Sequence, residues 1–316
     1  MPIKIVQFTH PGGQHTLNRS EKKNLIKEWN MGAHARKFLI AEGQYADNDR
    51  LSNPQDLLFW AEWEPTSEIK QTFNALDNVL DPTYLHSPFL QLNKRGKVVK
   101  SVSKPNVANT KGCSPNGPYQ NTDPFVFGGC FFYSLCKQYH FPCMQDLEVG
   151  SIILFGSTIS IKRGGPCFAL DTVFVVGERR VYKEETHQKD LAGFIPKYYD
   201  EIMGFSPHNT AQLVCYKGAT FNSPVNGMYS FVPCKPLSAN GQNGFRRVEL
   251  RNQNLSSIPV INQRKKNPQY ISDNLNSSPN ITMSDLTHNK MVWDKICQIV
   301  DAQKCMRGVS FEYHII

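Results

Sequence analysis

The chain has 316 residues, 40 % of them hydrophobic and 20 % charged, with 21 glycines and 20 prolines. That mix excludes a disordered, collagen-like or coiled-coil protein and implies one large, loop-rich globular domain or two smaller ones. Thirty-five basic against 27 acidic residues leave a net charge of +8, which favours anionic partners without choosing among nucleic acid, a phosphorylated small molecule and a membrane surface.

Nine cysteines form no C-x-x-C pair, and no apolar run approaches the roughly 18 residues of a membrane span. The N-terminal residues lack the apolar core of a secretory signal. The expectation is a cytoplasmic protein with reduced thiols and no membrane partner.

Ile3 to Phe8 reads as a strand, stopped by Pro11, Gly12 and Gly13 in a loop that carries His10 and His15. A short helix is expected over residues 18–29, with Ser20 as its cap and Leu25, Ile26 and Trp29 on one face. Two apolar stretches follow, 36–40 and 57–64. In the second, period-two alternation puts Leu58, Trp60 and Glu62 on one side and Phe59, Ala61 and Trp63 on the other. Residues 82–122 contain no Asp or Glu, yet they hold Lys94, Arg95, Lys97, Lys100, Lys104 and Lys111. The turn formers of the second half of that stretch mark a long exposed loop or a junction.

The aromatic run from Phe125 to Tyr133 must be buried or line a cavity, with core as the default. A glycine turn and a buried strand follow over 147–157, then Lys162, Arg163, Gly164 and Gly165, then a second strand over 168–178. Two such strands so close together suit a small barrel or a tightly curved sheet. Strand-and-turn patterns continue at 213–220 and 227–234. The seven asparagines of 252–281 point to a long surface excursion. Ser284 precedes a helix whose Val292, Ile296, Ile299 and Val300 share a face, and Val309, Phe311, Tyr313 and Ile315 alternate as a closing strand.

The fold expected is therefore α+β: a mixed, strongly curved sheet or small β-barrel with flanking helices. Three parts are expected. Residues 1–110 form an α/β segment with the histidine loop and tryptophan strand, 111–250 the barrel region, and 251–316 an Asn-rich loop, helix and strand that pack back on the core.

The run Leu147-Glu148-Val149-Gly150-Ser151-Ile152-Ile153-Leu154-Phe155-Gly156, a polar gap, and then Ala169 to Glu178 resembles the signature of PUA-like barrels, the ASCH and EVE domains especially. The resemblance covers residues 147–178, and Ser151 stands where those families usually carry Asp. It implies a barrel that binds RNA or reads a modified base in an aromatic pocket, hence a nucleic-acid or nucleotide ligand, in a setting of nucleotide modification.

The candidate residues follow from that ligand class. Trp60 and Trp63 offer stacking faces, each contributing about 1–3 kcal/mol per base, and Glu62 between them can accept from an exocyclic amino group. Ordinary packing of the same indoles is the competing reading. Arg36, Lys37, Phe155, Ser157 and Arg163 complete the expected ligand contacts, with Arg163 beside Gly164 suited to phosphate or to stacking. Lys94, Arg95, Lys97 and Lys100 are the expected phosphate contacts, with Arg246–Arg247 and Arg264–Lys265–Lys266 as weaker versions of the same idea.

The alternative is an enzyme acting on nucleotides or nucleic acid, with His10, His15 and Glu62 as acid-base or metal-binding groups and His34 as a further nitrogen. Cys130, Cys136 and Cys143, with Cys113 and His140, lack chelating spacings and read as core thiols. No cofactor and no metal is expected.

Overall fold

The computed structural model of the protein describes residues 3–9, 36–63, 67–73, 83–90, 122–161, 165–237, 245–251 and 280–315. The strands are, in chain order, β1 (Ile3–Thr9), β2 (Arg36–Asp47), β3 (Arg50–Leu51), β4 (Gln55–Glu62), β5 (Ser67–Phe73), β6 (Thr83–Leu90), β7 (Phe132–Tyr133) and β8 (Ile152–Ile161). They continue as β9 (Gly165–Lys183), β10 (Gln212–Gly218), β11 (Val232–Pro236), β12 (Val248–Leu250), β13 (Asn280–Ser284), β14 (Met306–Phe311) and β15 (His314–Ile315). The helices are α1 (His187–Asp190), α2 (Lys197–Met203) and α3 (Leu286–Ala302).

One sheet runs in the order β13-β1-β8-β9-β10-β7, with β12 added to β9; the other runs β14-β11-β4-β2-β6-β15, with β3 on β2 and β5 on β6. β14 also pairs with β2, so β14, β11, β4 and β2 close into a four-stranded barrel. Closure brings two backbones into contact at Gly43, which faces Phe311 in the register; a Cβ there would run into the Ser310 carbonyl oxygen. β1 with β8 and β2 with β6 are parallel pairs among antiparallel ones. The class is α+β with a mixed curved sheet and a closed barrel, as expected, but the barrel is not where the strands of 147–178 put it: those form β8 and β9 of the other sheet, and the closed barrel is drawn from residues 36–62, 232–236 and 306–311.

Alternation is obeyed in β4, but both of its faces are buried. Phe59, Ala61 and Trp63 join one core with Phe8, Phe127 and Phe155, while Leu58 and Trp60 join a second with Phe38, Leu154 and Trp293. The β8–β9 hairpin divides its side chains between the same two cores, Ile153 and Phe155 against Ile152 and Leu154. In strands of this kind the period of two selects which core a residue enters rather than core against solvent.

α3 packs Val292, Ile296, Ile299 and Val300 inward. Its cap is Asp285 rather than Ser284: the Asp285 carboxylate accepts from the His288 backbone N–H at 2.8 Å. Asn280 and Ile281, read as part of a surface excursion, belong instead to β13, which pairs with β1. The partners are set by pairing rather than by position in the chain: β1 lies between β13 and β8, and β4 lies beside β11. The strand expected over 227–234 begins at Val232, after a turn with Gly227 at φ +72°. The helix expected over 18–29 and the histidine loop lie outside the described residues. No helix among those residues is long and apolar enough to cross a membrane.

Candidate functional site

The antiparallel register of β2 and β4 sets Arg36 opposite Glu62 and Phe38 opposite Trp60. Residues two apart share a face, so this one surface carries a cross-strand ion pair next to a cross-strand aromatic pair. Arg36 Nη2 lies 2.9 Å from Glu62 Oε2, and the Phe38 and Trp60 rings meet edge to face at 4.9 Å between centroids.

That surface packs against β9, which supplies Asp171 from an otherwise apolar run. Arg36 Nη1 donates to Asp171 Oδ2 at 2.6 Å. From the other side Arg247, just ahead of β12, donates from one nitrogen, Nη1, to both Asp171 Oδ1 at 3.0 Å and Ser157 Oγ at 2.8 Å. β12 pairs with β9 at Val248–Leu170, which is why Arg247 comes to lie beside Asp171. The guanidinium also covers the Trp60 ring, with Cζ 4.7 Å from its centroid.

Moving ions out of water costs several kcal/mol each, and the cost is recovered only with good geometry and opposite partners. Two guanidiniums, which do not deprotonate in proteins, face two carboxylates. Burial raises the pKa of Asp171, and Arg247 and then Arg36 pull it back part of the way. Burial lowers the pKa of Arg247, with Asp171 opposing and the like charge of Arg36 adding to the depression. Arg247 is the outermost member: its side chain is 9 % exposed, against 1 % for Arg36 and 0 % for Asp171.

Two donors in this cluster are unmatched. Arg36 Nε and Trp60 Nε1 are buried without a hydrogen-bond acceptor among the described residues. A buried donor without a partner costs about 1–3 kcal/mol, so each calls for an explanation.

Of the residues singled out from sequence, Arg36, Glu62, Trp60 and Ser157 converge on this cluster. Trp63 and Phe155 do not, and the expected two-indole box is corrected. Trp63, fully buried, packs on Phe127 at 4.7 Å and stacks on Tyr313, and Phe155 packs on Phe8 at 4.8 Å, so both are core. Lys37, one residue from Arg36, points to the other face. It is fully buried, and its Nζ donates to Ser67 Oγ at 3.3 Å, which in turn lies 3.0 Å from His86 Nδ1.

Asp171 and Arg247 are the two members that sequence reasoning did not place in the site. A lone acid inside the apolar run 168–176 was the available signal for Asp171; the doublet Arg246–Arg247 was the weaker one for Arg247. Arg163, Lys94, Arg95, Lys97, Lys100, His10, His15 and His34 lie outside the described residues. Among the described residues, no group of three or more His, Cys, Asp or Glu side chains is arranged to hold a metal. Burial raises the thiol pKa of Cys130 to about 11 and that of Cys167 to about 11, so both are neutral.

A second buried acid lies elsewhere. Asp123 accepts backbone N–H groups from Ser134, Leu135 and Cys136 at 3.1, 2.9 and 2.8 Å. Burial pushes its pKa up to about 7, the three N–H groups restrain the rise, and the charge of Glu62 adds to it.

No protein-family model, no curated protein and no solved structure matches the chain.

Proposed function

We propose that the protein binds a nucleotide, or a base presented by nucleic acid, by stacking it on Trp60 and engaging its polar edge with the groups around Asp171. The observation that supports this most is the guanidinium of Arg247 over the indole. A planar, delocalised, hydrogen-bonding group lies 4.7 Å from that ring and donates to Asp171 and Ser157. A base has the same planarity and the same kind of edge, and aromatic faces with flanking acceptors are what read a base held out of its stack.

The unmatched Nε–H of Arg36 adds support, because base carbonyls and ring nitrogens are acceptors. Arg246 and Arg251, with side chains 52 % and 21 % exposed, lie close to Arg247 in the chain and are both ion-paired to Glu249, so a phosphate there would compete with that carboxylate for them. This reading needs binding and no catalytic step. A cytoplasmic setting belongs to the same reading: the reduced thiols of Cys130, Cys167, Cys215, Cys234 and Cys297 suit a reducing compartment.

A thermal-shift screen over the common nucleotides, RNA and single-stranded DNA tests it, since a ligand that binds only the native form raises Tm. The expected result is a shift that weakens with added salt. Unchanged melting with all of them contradicts the reading.

A further inference from the structure

We propose that His187 is a pH-set clasp: as an imidazolium it fastens α1 to α2, and in alkaline solution its neutral form lets go and loosens the segment between β9 and β10. The clasp needs no ligand at Trp60.

Both ring nitrogens of His187 meet acceptors. Nδ1 lies 2.6 Å from the Glu184 carbonyl oxygen, and Nε2 lies 2.7 Å from Asp200 Oδ1. A carbonyl only accepts, and so does an ionised carboxylate. Neutral imidazole carries a single N–H, so in either tautomer a bare nitrogen would face a lone pair at one of these distances. The imidazolium supplies a proton to each. Asp200 Oδ1 is buried and takes no hydrogen bond from another group among the described residues, so the His187 cation is what balances it.

The surroundings favour the charged ring. It lies against Phe205 at 4.6 Å between centroids, where a cation is attracted by the aromatic face. The charged groups that act on it are Asp200 of α2 and Glu184 of the turn Glu184–Thr186, both acids. Of the cations on the neighbouring elements, Arg180 of β9 lies over Phe194, while Lys183 of β9 and Lys189 of α1 act on Asp190. Burial lowers the pKa of His187, but the contacts with Asp200 and the Glu184 carbonyl outweigh it and raise the value above the usual 6.5. A group raised in this way contributes stability that is complete below about pH 6.5 and is lost as pH rises through its own raised value.

The clasp holds two helices of four and seven residues, too short to persist alone. His187 opens α1 and Asp200 lies in α2, so the pair spans the excursion that joins β9 to β10. Leu191, Phe194, Tyr199, Ile202, Met203 and Phe205 carry that excursion into the first core. Release therefore favours local opening of this segment, with the strands on either side of it left paired.

The test is a pH titration of the full chain, followed by the imidazole NMR signals of labelled histidine and by amide hydrogen exchange of residues 187–203, expressed as protection factors to remove the intrinsic effect of pH. The His187 signal is identified by its absence in His187→Gln or, if that variant does not fold, by its nuclear Overhauser contact with the Phe205 ring. The expected midpoint of His187 lies above about 6.5 in the wild type and falls in Asp200→Asn. Protection of α1 is expected to drop by about two- to fivefold between pH 6 and pH 9, as for the loss of a partly exposed ion pair, and Asp200→Asn abolishes that pH dependence. Asp123 is intact in Asp200→Asn, so a change that belonged to Asp123 would persist there. A midpoint at or below about 6.5, a midpoint unmoved by Asp200→Asn, equal protection at pH 6 and pH 9, or a change shared by wild type and variant overturns the clasp. The wild-type midpoint decides by itself if Asp200→Asn does not fold.

Discussion

Asp171 and Asp123 are equally sealed from solvent, at 1 % and 0 % exposure, yet one is surrounded by side-chain cations and the other by backbone N–H groups. Backbone donors from Ser134, Leu135 and Cys136 are part of the chain's course and remain as long as the fold does. A guanidinium at the end of a rotatable side chain can be exchanged for something else. Both arrangements satisfy a buried acid, but only the one around Asp171 includes a partner that reaches solvent and covers an aromatic face. The Asp123 site is therefore architecture, and the Asp171 site is the one that the proposed binding would use.

The largest effect that sharpens this contrast is expected from Arg36→Ala. It removes the guanidinium that bonds the buried carboxylates of Glu62 and Asp171, and breaking a buried pair of this kind costs about 3–5 kcal/mol. Chemical unfolding measures it, and a loss below ~1 kcal/mol would show that the charges are hydrated.

Asp123→Asn is expected to destabilise by about 1–3 kcal/mol, because an amide carries N–H groups where the native carboxylate meets three donors. Its pH signature is the sharper observation. The carboxyl pKa is raised to about 7 from 3.8, so the native state retains a proton that the unfolded chain has lost. The stability contributed is full below pH 4 and is lost as pH rises through 7, by at most about 4 kcal/mol. Unfolding curves at pH 4 and pH 8 should diverge for the wild type and lose this component in Asp123→Asn; parallel slopes would remove Asp123 from the account.

Ser67→Ala deletes one bond each to Lys37 and His86 on the far face of β2, with an expected cost of about 1–2 kcal/mol. Nucleoside binding should be unchanged by it, since this face is not the one that carries Trp60. Weakened binding would merge two regions described as separate. The smallest effect belongs to Asp285→Ala, which removes the α3 cap and costs about 1 kcal/mol, a reference value for an exposed bond remote from both acids.

Much of this was legible in the amino-acid order. The alternation of residues 57–64 gave the two faces of β4, and the glycine turn at Gly150, with φ at +89°, introduces the hairpin that the pattern of 147–178 implied. Barrel closure was not legible, because it depends on the register of β2 against β14, more than 250 positions apart in the chain. The site divides in the same way. Arg36, Trp60, Glu62 and Ser157 stood out by residue type, whereas the bonds that unite them run through Asp171 and Arg247, across separations of 76 to 135 residues. For Trp63 and Phe155 the order of residues leaves slot and core open for a related reason. An aromatic ring on a strand buried on both faces looks the same in sequence whether it lines a slot or fills a core.

The central claim is that the Trp60 face receives the base. Titration of one nucleotide into wild-type protein and Trp60→Leu at fixed salt tests it most directly, with the fold of the variant verified by circular dichroism. Loss of the stacking surface should weaken binding by roughly 5- to 150-fold, the equivalent of about 1–3 kcal/mol. Equal affinities for a folded Trp60→Leu and the wild type would contradict the account.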